Sequence, residues 1–327
     1  MIGPILDPLG YDFFLRALVA SAVVGLVCAV VGSYMVLRGL AFMGDALSHA
    51  AFPGVVVAYM LKGPFYIGAA VASVATALLI GWVTRRGGLR GDTAIGVLFA
   101  GMFALGVFLF SLIPNYVGDL FGFLFGEVLG IGFGDLLALA ALAVAVLAAV
   151  AILWKELLYA TFDPLGAAAS GLPVARLDYL FLALIAITIV VSLQAVGIIL
   201  VVAMLVTPAA TAQLLTRSFG RLLLVAAGIG IVAPMVGLYV SYWANAASGA
   251  TIVLVETALF LVVLAVRQFG ARRPRGVFRR SLPAEPDASD AGGDGFAESR
   301  VPRPSPPTSG SGSVALAEPM PADPQEE

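Results

Sequence analysis

The chain has 327 residues, 61% of them hydrophobic and 12% charged, with a mean hydropathy of +1.02. Soluble domains of this length do not carry that balance, and apolar stretches of about 20 residues recur along the chain, so composition predicts an all-α polytopic membrane protein. The formal charge of −2 conceals a division: residues 1–281 hold 16 Lys and Arg against 11 Asp and Glu, whereas the last 46 residues hold 2 against 9.

The opening "MIGPILDPLGYDFF" has no basic n-region. The first apolar run therefore reads as a retained span and not as a cleaved signal. Spans are predicted at roughly 13–37, 41–61, 64–84, 92–113, 132–154, 178–193, 195–215, 222–243 and 250–267. The run from Asp178 to Pro208 would form a helix of about 45 Å, longer than a bilayer core of about 30 Å. A split near Gln194–Gly197, where a polar residue and a glycine interrupt it, resolves the excess. Basic residues set the orientation: "RRGGLR" (85–90), Lys155 with Arg176, Arg217 with Arg221, and the cluster from Arg267 to Arg280 should face the cytoplasm. Segment 114–131 has no Lys or Arg and should lie outside. Arg38 on the inside implies nine spans; eight would require a re-entrant segment near the N-terminus.

Within the second span, "GDALSHAAFPG" (44–54) carries Asp45 and His49, the latter the only histidine in the chain. Ionisable groups at membrane depth are costly and mark pathways or partners. Four residues apart, the two share a helix face, and a carboxylate with an imidazole can ligate a divalent transition metal. A helix cap, or a packed histidine held by its neighbour, would explain the same spacing. The lone Cys28 excludes an intrachain disulfide and a CxxC site. There is no GxxxxGK[ST], so ATP would have to be bound by another protein.

Between two spans on the basic side lies "YATFDPLGAAASGLPVARLD" (159–178). Asp163 suits an N-cap, Pro164 the first helical position and Gly171 the C-terminal cap, which predicts a helix of about two turns. Such a helix is either a plain connection or a docking element. Glu256 should face the protein interior or a cavity, and Gln194 and Gln213 suit contacts between helices. The glycines and proline of "GIGIVAPMVG" (228–237) suit a close-packed or kinked helix. "GFGD" (132–135) is similar to the GxGD of intramembrane aspartyl proteases, but Asp135 and its possible partner Asp12 both sit at span edges, which argues against enzyme chemistry. From about Ser281 the chain is rich in Pro, Ser, Gly and acids, and is expected to be a disordered cytoplasmic tail (281–327) after a membrane domain (1–280).

"VLRGLAFMGDALSHAAFPGVVVAYML" (36–61) resembles the signature of the ABC-3 family of metal-ion importer permeases, the membrane subunits of zinc, manganese and iron ATP-binding cassette transporters. The resemblance continues through "GDTAIGVLFAGMFALGVFL" (91–109), "ATFDPLGAAASGLPVARLDY" (160–179), "SLQAVGIILVVAMLVTPAATAQLL" (192–215) and "SGATIVL" (248–254), in the family's order. It implies a type II, cobalamin-importer-like permease of about eight or nine spans that pairs with a second copy of itself. It also implies a separate cytoplasmic ATPase and an extracytoplasmic metal-binding protein as partners. No nucleic acid and no resident cofactor is implied; Zn2+, Mn2+ or Fe2+ passes through, and ATP is used by the partner. Asp45 and His49 match the family's D-x-x-x-H positions as transient ligands in the path. Residues 160–172, with Phe162, Asp163, Pro164 and Gly171, match its coupling helix. Glu256 is a further candidate ligand.

The expected mechanism is alternating access in the cell membrane, with the metal released into the permease over 114–131 and 244–250. Two other cargo schemes fit the architecture: an iron chelate or cobalamin as substrate, or a secondary metal/proton carrier using Glu256 and Asp45.

Overall fold

The computed structural model describes residues 7–88, 91–113 and 130–271, the side chains of residues 194, 270 and 271 excepted. The segment 114–129 and the chain from 272 onward, the expected tail included, lie outside the described residues. After a 3₁₀ turn (Asp7–Gly10) come α1 (Asp12–Leu37), α2 (Ala41–Met60), α3 (Phe65–Arg86), α4 (Gly91–Ser111), α5 (Phe133–Ile152), α6 (Trp154–Phe162), α7 (Pro164–Ala169), α8 (Val174–Val196), α9 (Ile198–Leu215), α10 (Phe219–Ala244) and α11 (Ser248–Ala271). Among the described residues, nine helices are long and apolar enough to cross a membrane: all but α6 and α7. Nine crossings in chain order would put Arg38, Arg85 with Arg86, Lys155 with Arg176, and Arg217 with Arg221 on one side, as the charge pattern requires.

The predicted break in the long run falls at Gly197. Its φ of +80° is a left-handed angle that glycine takes without steric cost, and the chain turns there from α8 into α9 through one residue. The fifth predicted span ends earlier than its hydropathy suggests. α5 stops at Ile152, and Leu153 leads into the separate nine-residue helix α6.

Two groups of helices meet along α8. α2 packs against α3 and α4, while α1 packs against α9 and α10, which in turn hold α11; α8 touches α1, α2 and α3. With no hydrophobic drive between helices in lipid, close backbone approach and van der Waals contact hold such a bundle together. Gly25 of α1 lies against Gly230 of α10, and Gly54 of α2 against Gly68 of α3; a methyl on any of the four would run into the opposing carbonyl oxygen. The pattern at 228–237 thus resolves into two close approaches within α10, Gly230 against Gly25 of α1 and Gly237 against Ile252 of α11, with Pro234 between them. α1 is largely enclosed, with Phe14, Cys28, Val31, Tyr34 and Met35 fully buried.

Candidate functional site

Gly39, at φ +70°, turns the chain from α1 into α2. Asp45 and His49 then fall one turn apart near the start of α2, while Ser48, between them, turns inward and donates to the Gly44 carbonyl at 2.8 Å. The pair is thus on one face, as the spacing predicts. His49 Nδ1 lies 3.0 Å from the Asp45 backbone carbonyl oxygen and 3.4 Å from Asp45 Oδ1. A carbonyl can only accept, so in the neutral ring Nδ1 carries the hydrogen and Nε2 keeps the lone pair. The ring stands edge-on to Phe99 and Phe103 of α4, with centroids at 5.1 and 5.6 Å. These two phenylalanines fix the imidazole plane, and nothing in the spacing of α2 announces them.

The Asp45 side chain is 51% exposed and that of His49 24%. The carboxylate lies on the Nδ1 side of the ring, so in this conformation it orients the imidazole. To share a cation with Nε2 it must turn over, and its exposure leaves room for that. Among the described residues no group of three or more His, Cys, Asp and Glu side chains is placed to hold a metal, so Glu256 does not join this pair. Glu256 is fully buried, and neither carboxylate oxygen has a hydrogen-bond partner among the described residues. Two ligands without a third suit a site that a cation passes and not one that keeps it.

Beyond the α1–α2 corner, the caps predicted for the connecting helix are present. Asp163 Oδ1 accepts from the Gly166 N–H at 2.8 Å, Pro164 occupies the first turn of α7, and Gly171 follows at φ +88°. Phe162, at the end of α6, is 62% exposed, and Leu165 of α7 is 84% exposed. Leu165 is the more prominent of the two, and hydropathy alone cannot tell an exposed leucine at a helix tip from a buried one. Asp135 opens α5 and lines a cavity of about 150 Å³ with Tyr66 and Ile131; Asp12 opens α1.

The ABC 3 transport family model matches residues 10–267, nearly the whole membrane portion. The chain belongs to that family. A member from Listeria innocua, a manganese transport system membrane protein MntC, is 46% identical over 252 residues, covering 77% of this chain and 90% of the relative. A chelated iron transport system membrane protein YfeD from Yersinia pestis is 42% identical, over 79% of this chain and 86% of the relative. Among solved structures, PsaBC from Streptococcus pneumoniae in complex with Fab superposes with a TM-score of 0.72 at 37% identity, covering 81% of this chain and 95% of that one. An inward-facing metal-chelate type ABC transporter shares the fold, with a TM-score of 0.66 at 16% identity over 81% of this chain and 90% of that one. This ABC 3 member is accordingly a multi-pass membrane permease and not itself an enzyme. The all-α architecture read from its sequence is that of its structural neighbours.

Proposed function

We propose that this permease passes a divalent transition metal, Mn2+ first among Mn2+, Fe2+ and Zn2+, into the cytoplasm. The observation that carries the reading is His49: its Nδ1 is committed to a backbone carbonyl, its Nε2 meets no hydrogen-bond donor among the described residues, and Asp45 stands beside it on a partly exposed face. Neutral imidazole with one carboxylate suits all three ions, and the names of the relatives favour manganese and iron. Weak, incomplete ligation matches the task, because a closed site would retain the ion.

The remaining parts follow from the family. Two copies of the chain form the path, the exposed Phe162 at the end of α6 and Leu165 of α7 dock on a cytoplasmic ATPase, and an extracytoplasmic binding protein delivers the ion near 114–131 and 244–250. The membrane domain spans 1–280 and the acidic tail 281–327 lies in the cytoplasm. Glu256 serves as a ligand only in a conformation that opens the α9–α10–α11 packing around it. Alternation between outward and inward access, driven by the partner ATPase through α7, moves the ion past Asp45 and His49.

A second reading, an iron chelate as cargo, is favoured by the name of the Yersinia relative. Uptake of radiolabelled Mn2+ by proteoliposomes holding the permease with its ATPase and binding protein separates the two. ATP-dependent Mn2+ entry that Asp45→Asn and His49→Ala abolish supports the metal path. Entry of a chelate indifferent to both substitutions supports the alternative.

A further inference from the structure

The corner between α1 and α2 carries one more arrangement. Arg38 caps α1 three residues before α2 begins, and its side chain is only 11% exposed. Every nitrogen of its guanidinium is engaged: Nη1 donates to Asp178 Oδ1 at 2.9 Å, Nε to Thr161 Oγ1 at 2.9 Å and Nη2 to the Leu157 carbonyl at 3.5 Å. Its Cζ also lies 4.5 Å from the centre of the Phe181 ring. Thr161 passes the contact on, donating to the Leu157 carbonyl at 2.6 Å. The second Asp178 oxygen accepts from Arg85, at the end of α3.

These partners bracket α7. Leu157 and Thr161 belong to α6, which enters the α7 hairpin; Asp178 and Phe181 belong to the first two turns of α8, which leaves it. One side chain therefore grips both stems of the hairpin and is joined through Gly39 and Leu40 to the helix bearing Asp45 and His49. An aromatic pad seats the same junction. Tyr34 of α1 meets Trp154 of α6, Phe181 of α8 and Phe219 of α10 at centroid distances of 6.2, 6.0 and 4.9 Å, and Phe219 also meets Phe162 at 6.1 Å. Ordinary connectivity would carry a displacement of α7 only into α6 and α8. Beside the packing of α8 on α2, the guanidinium gives it a route through Gly39 and Leu40 into α2.

We propose that Arg38, gripping both stems of the α7 hairpin through Thr161, Leu157 and Asp178, is the positioning residue that ties movement of that hairpin to the helix carrying Asp45 and His49. The inference rests on the reading of α7 as the ATPase docking helix. Lysine keeps the charge but is a single ammonium that cannot serve three acceptors arranged around a planar fork, so Arg38→Lys should separate the two motions without emptying the corner of charge.

The test uses the complete transporter, permease with its ATPase, in lipid. A spin label on Phe42→Cys, at the exposed start of α2, reports that helix whatever the cargo; Cys28 is buried. In the otherwise native chain, trapping the ATPase with ATP and vanadate should change the spectrum. With Arg38→Lys, and with the near-isosteric Asp178→Asn, the change should be lost while ATP hydrolysis stays within about twofold, and Mn2+ imported per ATP should fall about tenfold, within the usual range of coupling between sites. A label response and a transport ratio equal to those of the native chain in both variants would overturn the inference. So would hydrolysis and import falling by one common factor, the mark of a merely structural role. If the native chain shows the label response but imports no Mn2+, the cargo reading is wrong, and the label still decides the role of Arg38.

Discussion

Gly54 offers the sharpest test of how α2 is held. A Cβ built there would meet the Gly68 carbonyl oxygen and would come within 2.6 Å of the Ala72 methyl carbon and of the Gly68 carbonyl carbon. Carbon atoms rest at about 3.5–4.0 Å, so Gly54→Ala must part α2 and α3 by roughly 1 Å. The obstacles are mostly backbone and no flexible side chain can yield, so the cost should match that of overpacking, about 1–3 kcal/mol. For a domain of this size that is a melting shift of about 5 °C. The displacement would also reach the site, because Gly106 of α4 holds Phe52 and Pro53 of the same helix with no space for a methyl either. Gly228→Ala, on an exposed face with nothing within 4 Å of the added carbon, is the control. Thermal unfolding of the purified permease in detergent, followed by import in proteoliposomes, gives both readouts. If Gly54→Ala melts and imports like Gly228→Ala, the close approach of α2 and α3 is wrong.

Other expectations follow from the same structure. Asp163→Ala removes the cap of α7 and should cost that turn about 1 kcal/mol, lowering co-purification of the ATPase while the permease itself folds; undiminished co-purification would contradict the docking role. Import needs a neutral imidazole at His49, so it should fall as the pH is lowered and the ring takes up a proton, provided the ATPase and binding protein are shown to work there. Import unchanged at pH 5 would count against His49 as a ligand.

Hydropathy and charge made the spans legible because in lipid each helix must satisfy its own backbone and present apolar side chains over its whole length. The break at Gly197 and the caps at Asp163, Pro164 and Gly171 were legible for a local reason: each depends on a backbone angle or a hydrogen bond within a few residues. α6 was not, because its start is set by packing of Trp154 against Tyr34 and Phe219, far apart in sequence. The same limit applies to the candidate site. The Asp45–His49 spacing is local and was read directly, whereas Phe99 and Phe103 come from another helix. Arg38 and Asp178, 140 residues apart, meet only in the folded chain. Arg38 therefore served in the sequence only as a marker of orientation. The Gln194 side chain and the loop 114–129, expected at a helix contact and at the outer face, lie outside the described residues.

The central claim is that a metal passes Asp45 and His49. The most direct measurement is elemental analysis of cellular manganese, iron and zinc under metal limitation, in a strain lacking this chain and in strains carrying either the native chain or His49→Ala at equal membrane level. The account predicts that manganese drops on deletion, that the native chain restores it and that His49→Ala does not. Full restoration by His49→Ala would contradict it, leaving a permease of the same family whose path runs elsewhere.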